Sequence, residues 1–251
     1  MNPDLVAIPA VAAAVAVTAY GAAHPRSQLF GPAISRTPGA NQLAITFDDG
    51  PNPAITPKLL DLLDRHQARA TFFVIGRFAR ENPSLLKEIS ARGHAIGNHT
   101  ETHPNLFFLA PAKIREELRR CQDAIANALG SPAQIFRPPF GLRNPWLASA
   151  TAELNLRTIM WTLLPGDWRQ KSSDWLIQRM APIAAHAQNA KTLPPDVAGA
   201  GDILCLHDGS HRLQNADRSH TVAALEFCLP RWRELGLQFV TINPAVRTPA
   251  L

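Results

Sequence analysis

This 251-residue sequence predicts an α/β fold whose parallel strands form a closed or nearly closed barrel. Three observations carry the prediction. After residue 42, short apolar and β-branched runs alternate with amphipathic helical segments, the pattern of strand, helix, strand units on a parallel sheet. The length suits a barrel of roughly 200 to 250 residues in one domain. Hydrophobic residues make up 46% of the chain and charged residues 18%, a globular composition that can bury a core.

The first 23 residues stand apart. Residues 5–23 carry no charge and are mostly Ala and Val, close to the ~20 residues that cross a hydrocarbon core. No Lys or Arg precedes them, and the run exceeds the roughly 7 to 15 residues of a signal core. These features favour an uncleaved membrane anchor over a cleaved signal, although Gly21-Ala22-Ala23 permits cleavage before His24. Arg26 and Arg36 follow the run and, by the positive-inside rule, place the following domain on the cytoplasmic side. Residues 24–41, rich in Pro, Gly and Ser, read as a linker, and 42–251 as the domain itself.

Within the domain, 43–47 predicts a buried strand ended by Gly50-Pro51, so that Asp48 and Asp49 stand where strand gives way to loop. A helix follows over 57–67, with Pro57 in its first turn and Leu59, Leu60, Leu62 and Leu63 at helical spacing. Strand 70–75 and helix 83–92, stopped by Gly93, repeat the unit. The alternation continues through strand 94–98, helix 112–129 ended by Gly130, strand 134–137, helix 145–153, strand 157–163, helix 173–187, strand 202–206, helix 221–235 and strand 237–242. No repeat of fixed period is present.

Charge and cysteine usage exclude several classes. The net charge of +5 is spread along the chain, and its densest patch, Arg115, Arg119 and Arg120, reads as a solvated helix face. Without a basic run interleaved with aromatics, no nucleic-acid partner is expected. Three cysteines without CxxC spacing suggest neither a disulfide framework nor a thiolate metal site. Cys205, in an apolar run, reads as a small core residue.

Four motifs carry chemistry. Thr46-Phe47-Asp48-Asp49-Gly50 delivers two carboxylates from a strand end, although Asp, Gly and Pro there are also ordinary turn formers. His99-Thr100-Glu101-Thr102-His103 brings two imidazoles together if it makes one turn. With Asp49 it offers two histidines and a carboxylate, an open three-ligand set suited to catalytic zinc and also to iron or cobalt. Arg137-Pro138-Pro139-Phe140-Gly141 is a stiff segment able to hold a guanidinium or a backbone amide in place. Leu206-His207-Asp208 ends a strand with a histidine. Residues at the carboxyl ends of several barrel strands gather into one site.

In this order the motifs resemble those of the polysaccharide deacetylases with a NodB-like domain, carbohydrate esterase family four, over about 42–242. The resemblance implies a distorted TIM-like (β/α)7 barrel, preceded here by the N-terminal apolar helix. It also implies one divalent metal, zinc first, with cobalt, nickel or iron also suited. By the same resemblance Asp49, His99 and His103 would bind the metal and Asp48 would be the general base for the attacking water. Arg137 would hold Asp48, the Phe140 N–H would stabilise the oxyanion, and His207 would protonate the departing amine. Asp167 would tune His207, and Trp168 would wall the acetyl pocket.

Leu164-Pro165-Gly166 departs from the family pattern, and Phe140 stands where tyrosine is common. The function so implied is metal-dependent removal of N-acetyl groups from N-acetylglucosamine-type polysaccharide, oligosaccharide or lipid-linked glycan by a monomer held at the membrane. O-acetyl ester hydrolysis on a polysaccharide such as xylan, a catalytically silent sugar-binding module, and a structural metal protein are the alternatives.

Overall fold

The computed structural model describes residues 4–192 and 201–243, so that the extreme ends of the expected anchor and of the expected domain lie outside the described residues. In chain order the elements are α1 (Asp4–Ala23), β1 (Ala33–Ile34), β2 (Gln42–Gly50), α2 (Thr56–Arg65), β3 (Ala70–Val74), α3 (Gly76–Glu81), α4 (Pro83–Ala91) and β4 (Ala95–Asn98). There follow α5 (Pro111–Leu129), β5 (Ile135–Phe136), α6 (Leu147–Glu153), β6 (Arg157–Ile159), α7 (Ser173–Thr192), β7 (Asp202–His207), α8 (Ser219–Glu234) and β8 (Gln238–Phe239).

The named strands run β1-β6-β5-β4-β3-β2-β7, with β8 also on β2, and every strand pair is parallel. The segment after β6 completes a ring. Thr162 N–H donates to Ile203 O (3.0 Å), Leu163 bridges Leu204, and Cys205 N–H donates to Leu163 O (2.9 Å). The result is the distorted α/β barrel expected from the sequence.

Strand alternation sorts the side chains. Leu43, Ile45 and Phe47 on β2 face outward and pack with Leu59, Leu60 and Leu63 of α2 in the large outer core. Ala44, Phe73, Ile135, Ile159 and Ile203 face inward as a second, smaller core inside the barrel. The inward parity continues up each strand, from Ala44 through Thr46 to Asp48, from Gly97 to His99, from Ile135 to Arg137 and from Ile203 through Cys205 to His207. The apolar plug therefore gives way to titratable residues at the carboxyl ends. Helix ends follow local chemistry: Pro57 and Pro83 lie in first turns, and α5 stops at Gly130 in the left-handed region (φ 80°).

Three expectations change. The 24–41 segment contributes β1, whose Ile34 is buried and whose carbonyl accepts from Met160 N–H (2.7 Å). Its Pro and Gly content signals turns, but two ordered residues suffice to extend the sheet. Helix α3, absent from the sequence expectation, follows β3 directly. The expected membrane span is also corrected: among the described residues no helix is long and apolar enough to cross a membrane. Helix α1 has Pro9 inside it, and its end is bound to the domain. Arg143 N–H donates to Ala22 O (3.0 Å), and the Arg143 guanidinium donates to Ser27 O (2.8 Å) and His24 O (2.6 Å).

One buried histidine is structural. His94 Nδ1 accepts Ala70 N–H (3.1 Å) and its ring meets the Phe72 ring edge-on. Burial, assisted by the charge of Arg69, lowers its pKa from 6.5 to about 4. The unfolded chain therefore takes up this proton first, and the stability contributed by neutral His94 is complete above pH 6.5 and lost as pH falls through about 4. Replacing it by His94→Asn, which keeps an acceptor, is expected to flatten that part of the curve. Denaturant unfolding at several pH values checks this, and parallel curves for the two proteins would refute it.

Candidate active site

At the carboxyl ends of the strands a cavity of about 510 Å³ is lined by Asp48, Asp49, His99, His103, Phe140 and His207, among others. Four of its non-glycine residues or their neighbours have left-handed backbones: Asp49 (φ 72°), Thr100 (φ 66°), His103 (φ 61°) and Phe140 (φ 58°). Such conformations cost of order 1–3 kcal/mol each and concentrate at functional sites. At Asp49 the reason is visible. Strict alternation would turn its side chain outward, but the β2–β3 register shifts between Asp48 and Gly50, and the left-handed backbone brings Asp49 in beside Asp48.

The strand end is held from below. Asn52 Nδ2 donates to Asp208 O (2.8 Å) and Ala216 O (2.9 Å), and Thr56 Oγ1 donates to Asp208 Oδ2. Burial raises the Asp208 pKa to about 7, with the charges of Asp49 and Asp48 adding to it. A Cβ on Gly50 would collide with the Asp208 carboxylate, so this approach requires glycine.

Asp49, His99 and His103 present donor atoms within 4.8 Å of one another and are buried. Asp49 Oδ1 lies 3.6 Å from His99 Nε2 and 3.2 Å from His103 Nε2. His99 Nδ1–H donates to the Arg137 carbonyl (2.8 Å), and a carbonyl can only accept. That fixes the tautomer and leaves a lone pair on Nε2 aimed at a carboxylate oxygen. Burial and the neighbouring His99 lower the His103 pKa to about 3, so the His103 ring is neutral. Burial works to raise the Asp49 pKa, but His211, His103 and His207 outweigh it and hold the group as a carboxylate. Among the described residues, Asp49 Oδ1 and His103 Nδ1 have no hydrogen-bond partner. Two imidazole nitrogens converging on an orphaned anionic oxygen make a donor set that suits a divalent cation.

Asp48 is held differently. Arg137, fully buried, donates from Nη1 to Asp48 Oδ1 (2.7 Å) and Thr46 Oγ1 (2.7 Å), and from Nη2 to Met160 O (3.2 Å). The Phe73 ring lies against the guanidinium at 4.2 Å. Asp48 Oδ2 is approached by Cys205 Sγ–H (3.4 Å). Burial, with the charge of Asp48, pushes the Cys205 pKa well up, so it remains a thiol donor. The sequence reading of Cys205 as a small core residue missed this contact, because an apolar run does not reveal which of its members ends beneath a carboxylate.

Across the cavity, Asp167 grips His207 twice. His207 N–H donates to Oδ2 and Nδ1–H to Oδ1, both at 2.8 Å. Thr221 Oγ1–H donates to Oδ2 (3.1 Å) and His220 Nε2–H to the Asp167 carbonyl (2.6 Å). Burial lowers the His207 pKa, but the Asp167 charge and hydrogen bond prevail and raise it to about 9. Trp168, 42% exposed, meets the His207 ring edge-on at 5.3 Å. Phe140, 52% exposed, meets His103 at 4.6 Å. Of the nine residues singled out from the sequence, Asp48, Asp49, His99, His103, Phe140, Trp168 and His207 line one cleft, while Arg137 and Asp167 are buried behind it, against Asp48 and His207. His211, which the sequence reading passed over, also lines the cleft.

The profile of the family described as polysaccharide deacetylase matches residues 35–159. A peptidoglycan-N-acetylglucosamine deacetylase of Bacillus cereus is 37% identical over 206 residues, 82% of this chain and 88% of that protein. The chain belongs to the polysaccharide deacetylase family. A chitooligosaccharide deacetylase of Azorhizobium caulinodans is 33% identical over 215 residues, covering 83% of this chain and 96% of its own. Among solved structures, a family 4 carbohydrate esterase from Streptomyces lividans in complex with acetate superposes with a TM-score of 0.67 at 32% identity, over 81% of this chain and 93% of that one. The family match stops at residue 159, whereas His207 at the end of β7 and Asp167, which grips it from the segment after β6, lie beyond it.

Removing the guanidinium tests how the site is held. Arg137→Leu leaves Asp48 buried without its cation, and a loss of about 3–5 kcal/mol in unfolding free energy is expected. Urea denaturation checks this, and Arg137→Leu combined with Asp48→Asn is expected to recover part of the loss. No recovery would mean that packing rather than charge dominates.

Proposed function

We propose that this protein is a metal-dependent hydrolase that removes N-acetyl groups from glycans built of N-acetylglucosamine. The observation that carries the reading is the pairing of two oppositely prepared groups across one cleft. Asp48 is an anionic acceptor pinned at one oxygen, and His207 is an imidazolium pinned at one nitrogen. Relatives named for peptidoglycan and chitooligosaccharide deacetylation support the substrate class.

Asp49 Oδ1, His99 Nε2 and His103 Nε2 would hold a divalent ion, for which zinc is the first choice and cobalt, nickel or iron also suit the donor set. When bound, such an ion polarises the acetamide carbonyl and makes the attacking water more acidic. Asp48 Oδ2 takes the proton from that water, while Arg137 keeps Oδ1 occupied and the carboxylate ionised. The Phe140 N–H, on a stiff turn closed by Gly141 N–H to Pro138 O (2.9 Å), serves the oxyanion. His207, whose Nδ1–H is engaged by Asp167, gives its Nε2 proton to the leaving nitrogen. Trp168 walls the acetyl group. Water and amide become acetate and amine. An amide nitrogen leaves only when protonated, and the Asp167–His207 pair supplies that proton, which favours amide over ester substrates. Export fits an action on peptidoglycan, and a reporter fused after Leu251 that is active only outside the cytoplasm would stay silent if the domain were retained inside.

Two outcomes are expected. Acetate and free amine are released from N-acetylglucosamine oligomers, activity disappears on chelation and returns with zinc or cobalt, and Asp48→Asn lowers kcat by about 10²–10⁴-fold. Acetate released only from acetylated xylan would instead assign an esterase. The second concerns pH. Because His207 must be protonated, activity falls as pH rises through about 9, and Asp167→Asn, by removing the charge that raises this pKa, moves that limb down by about 1 unit or more. A pH–rate profile of kcat checks it, and an unmoved limb would dissociate Asp167 from the acid.

A further inference from the structure

His211 lies in the turn between β7 and α8, where Leu213 N–H donates to Ser210 O (3.1 Å) and Arg212 N–H to Ser210 Oγ (3.3 Å). The His211 carbonyl accepts from the guanidinium of Arg77 on α3, and that guanidinium in turn lies over the Phe78 ring at 4.7 Å. The turn is thus fastened to the barrel wall beyond β3. This places the His211 ring flat on His103, with centroids 4.4 Å apart and planes at 14°, and edge-on to Phe140 at 5.5 Å. His211 Nδ1 is 3.8 Å from Asp49 Oδ2, and the side chain is 27% exposed.

The two oxygens of Asp49 are not equivalent. Oδ1 faces the Nε2 atoms of His99 and His103 and has no hydrogen-bond partner among the described residues. Oδ2 faces His211. A carboxylate that offers one oxygen to a cation is oriented by a hydrogen bond to the other, since rotation about Cβ–Cγ otherwise exchanges them. His99 already has such an outer partner in the Arg137 carbonyl. For Asp49 the geometry offers His211.

We propose that His211 is a positioning residue for the cation-binding set: its Nδ1–H donates to Asp49 Oδ2 and its ring covers His103. The three donor atoms are thereby kept converged. Reaching hydrogen-bond length from 3.8 Å takes about 1 Å of movement, small for a partly exposed side chain. This inference rests on the metal-dependent reading above and extends it to a residue outside the four motifs.

The test measures zinc affinity by competition with a chromophoric chelator for the wild-type chain, His211→Ala, His211→Gln and Asp49→Ala, together with the visible absorption of the cobalt-loaded proteins and the thermal unfolding of the metal-free ones. Zinc binding about 10–100-fold weaker in His211→Ala is expected, with an altered cobalt spectrum, unchanged metal-free unfolding and partial recovery in His211→Gln, which retains a donor. Affinity within twofold of wild type in His211→Ala would overturn the proposal. So would a His211→Gln protein as weak as His211→Ala, since the donor would then not matter. If wild type binds zinc no better than Asp49→Ala, the metal reading itself fails. Tight binding by wild type and His211→Ala alike removes only the role of His211.

Discussion

A guanidinium buried inside a barrel demands that everything around it be an acceptor or a π face, and Arg137 organises the centre of this protein in that way. Its donors reach Thr46 and Asp48 on β2 and the Ile159 and Met160 carbonyls at the end of β6, and Phe73 on β3 covers its face. Strands distant in sequence are thus tied by one side chain just below the cleft. The arrangement is stable only while Asp48 stays ionised, because a buried cation without its anion is far costlier than a paired one. The requirement that keeps Arg137 buried is therefore the one that keeps Asp48 charged. Its own carbonyl holds His99 in the tautomer that points a lone pair inward, so one residue orders both the proposed base and the proposed ligand set.

Around that anchor the site divides into two halves of opposite electrostatic character. On one side Asp49, His99 and His103 converge as acceptors, with burial suppressing protonation of His103 and neighbouring histidines holding Asp49 anionic. On the other, Asp167 overcomes the burial that would discharge His207 and keeps it cationic. The halves are only one strand apart, since β2 and β7 are paired and Asp48 is in register with His207. Parallel pairing makes the short distance possible: it aligns the carboxyl ends of neighbouring strands, so residues far apart in the chain share one rim.

Much of this was legible in the sequence. The alternation of apolar runs gave most of the strands and helices, Gly130 and the early prolines marked helix ends, and the four motifs held seven of the nine site residues, the other two being Asp167 and Trp168. Where the sequence misled, the cause was local signal without tertiary context. Ala33 and Ile34 sit among turn formers and so looked like linker, yet β6 offers them an open edge. The run at 5–23 looked like a membrane span, but its carboxyl end is bound through Arg143, an interaction made across more than a hundred residues of chain. Cys205 and His211 carried no motif, and only the closing of β7 against β2 and of its following turn against α3 gives them neighbours.

The sequence by itself determined most of the order of elements and the chemical types at the strand ends, because these depend on short-range periodicity and backbone preference. Only the tertiary structure decided which oxygen of which aspartate faces which nitrogen. The turn of Asp49 into the barrel depends on a register shift against β3 and a left-handed backbone, and the charge states of His103 and His207 depend on burial beside partners brought from distant strands. Those are properties of packing, and packing exists only once the barrel has closed.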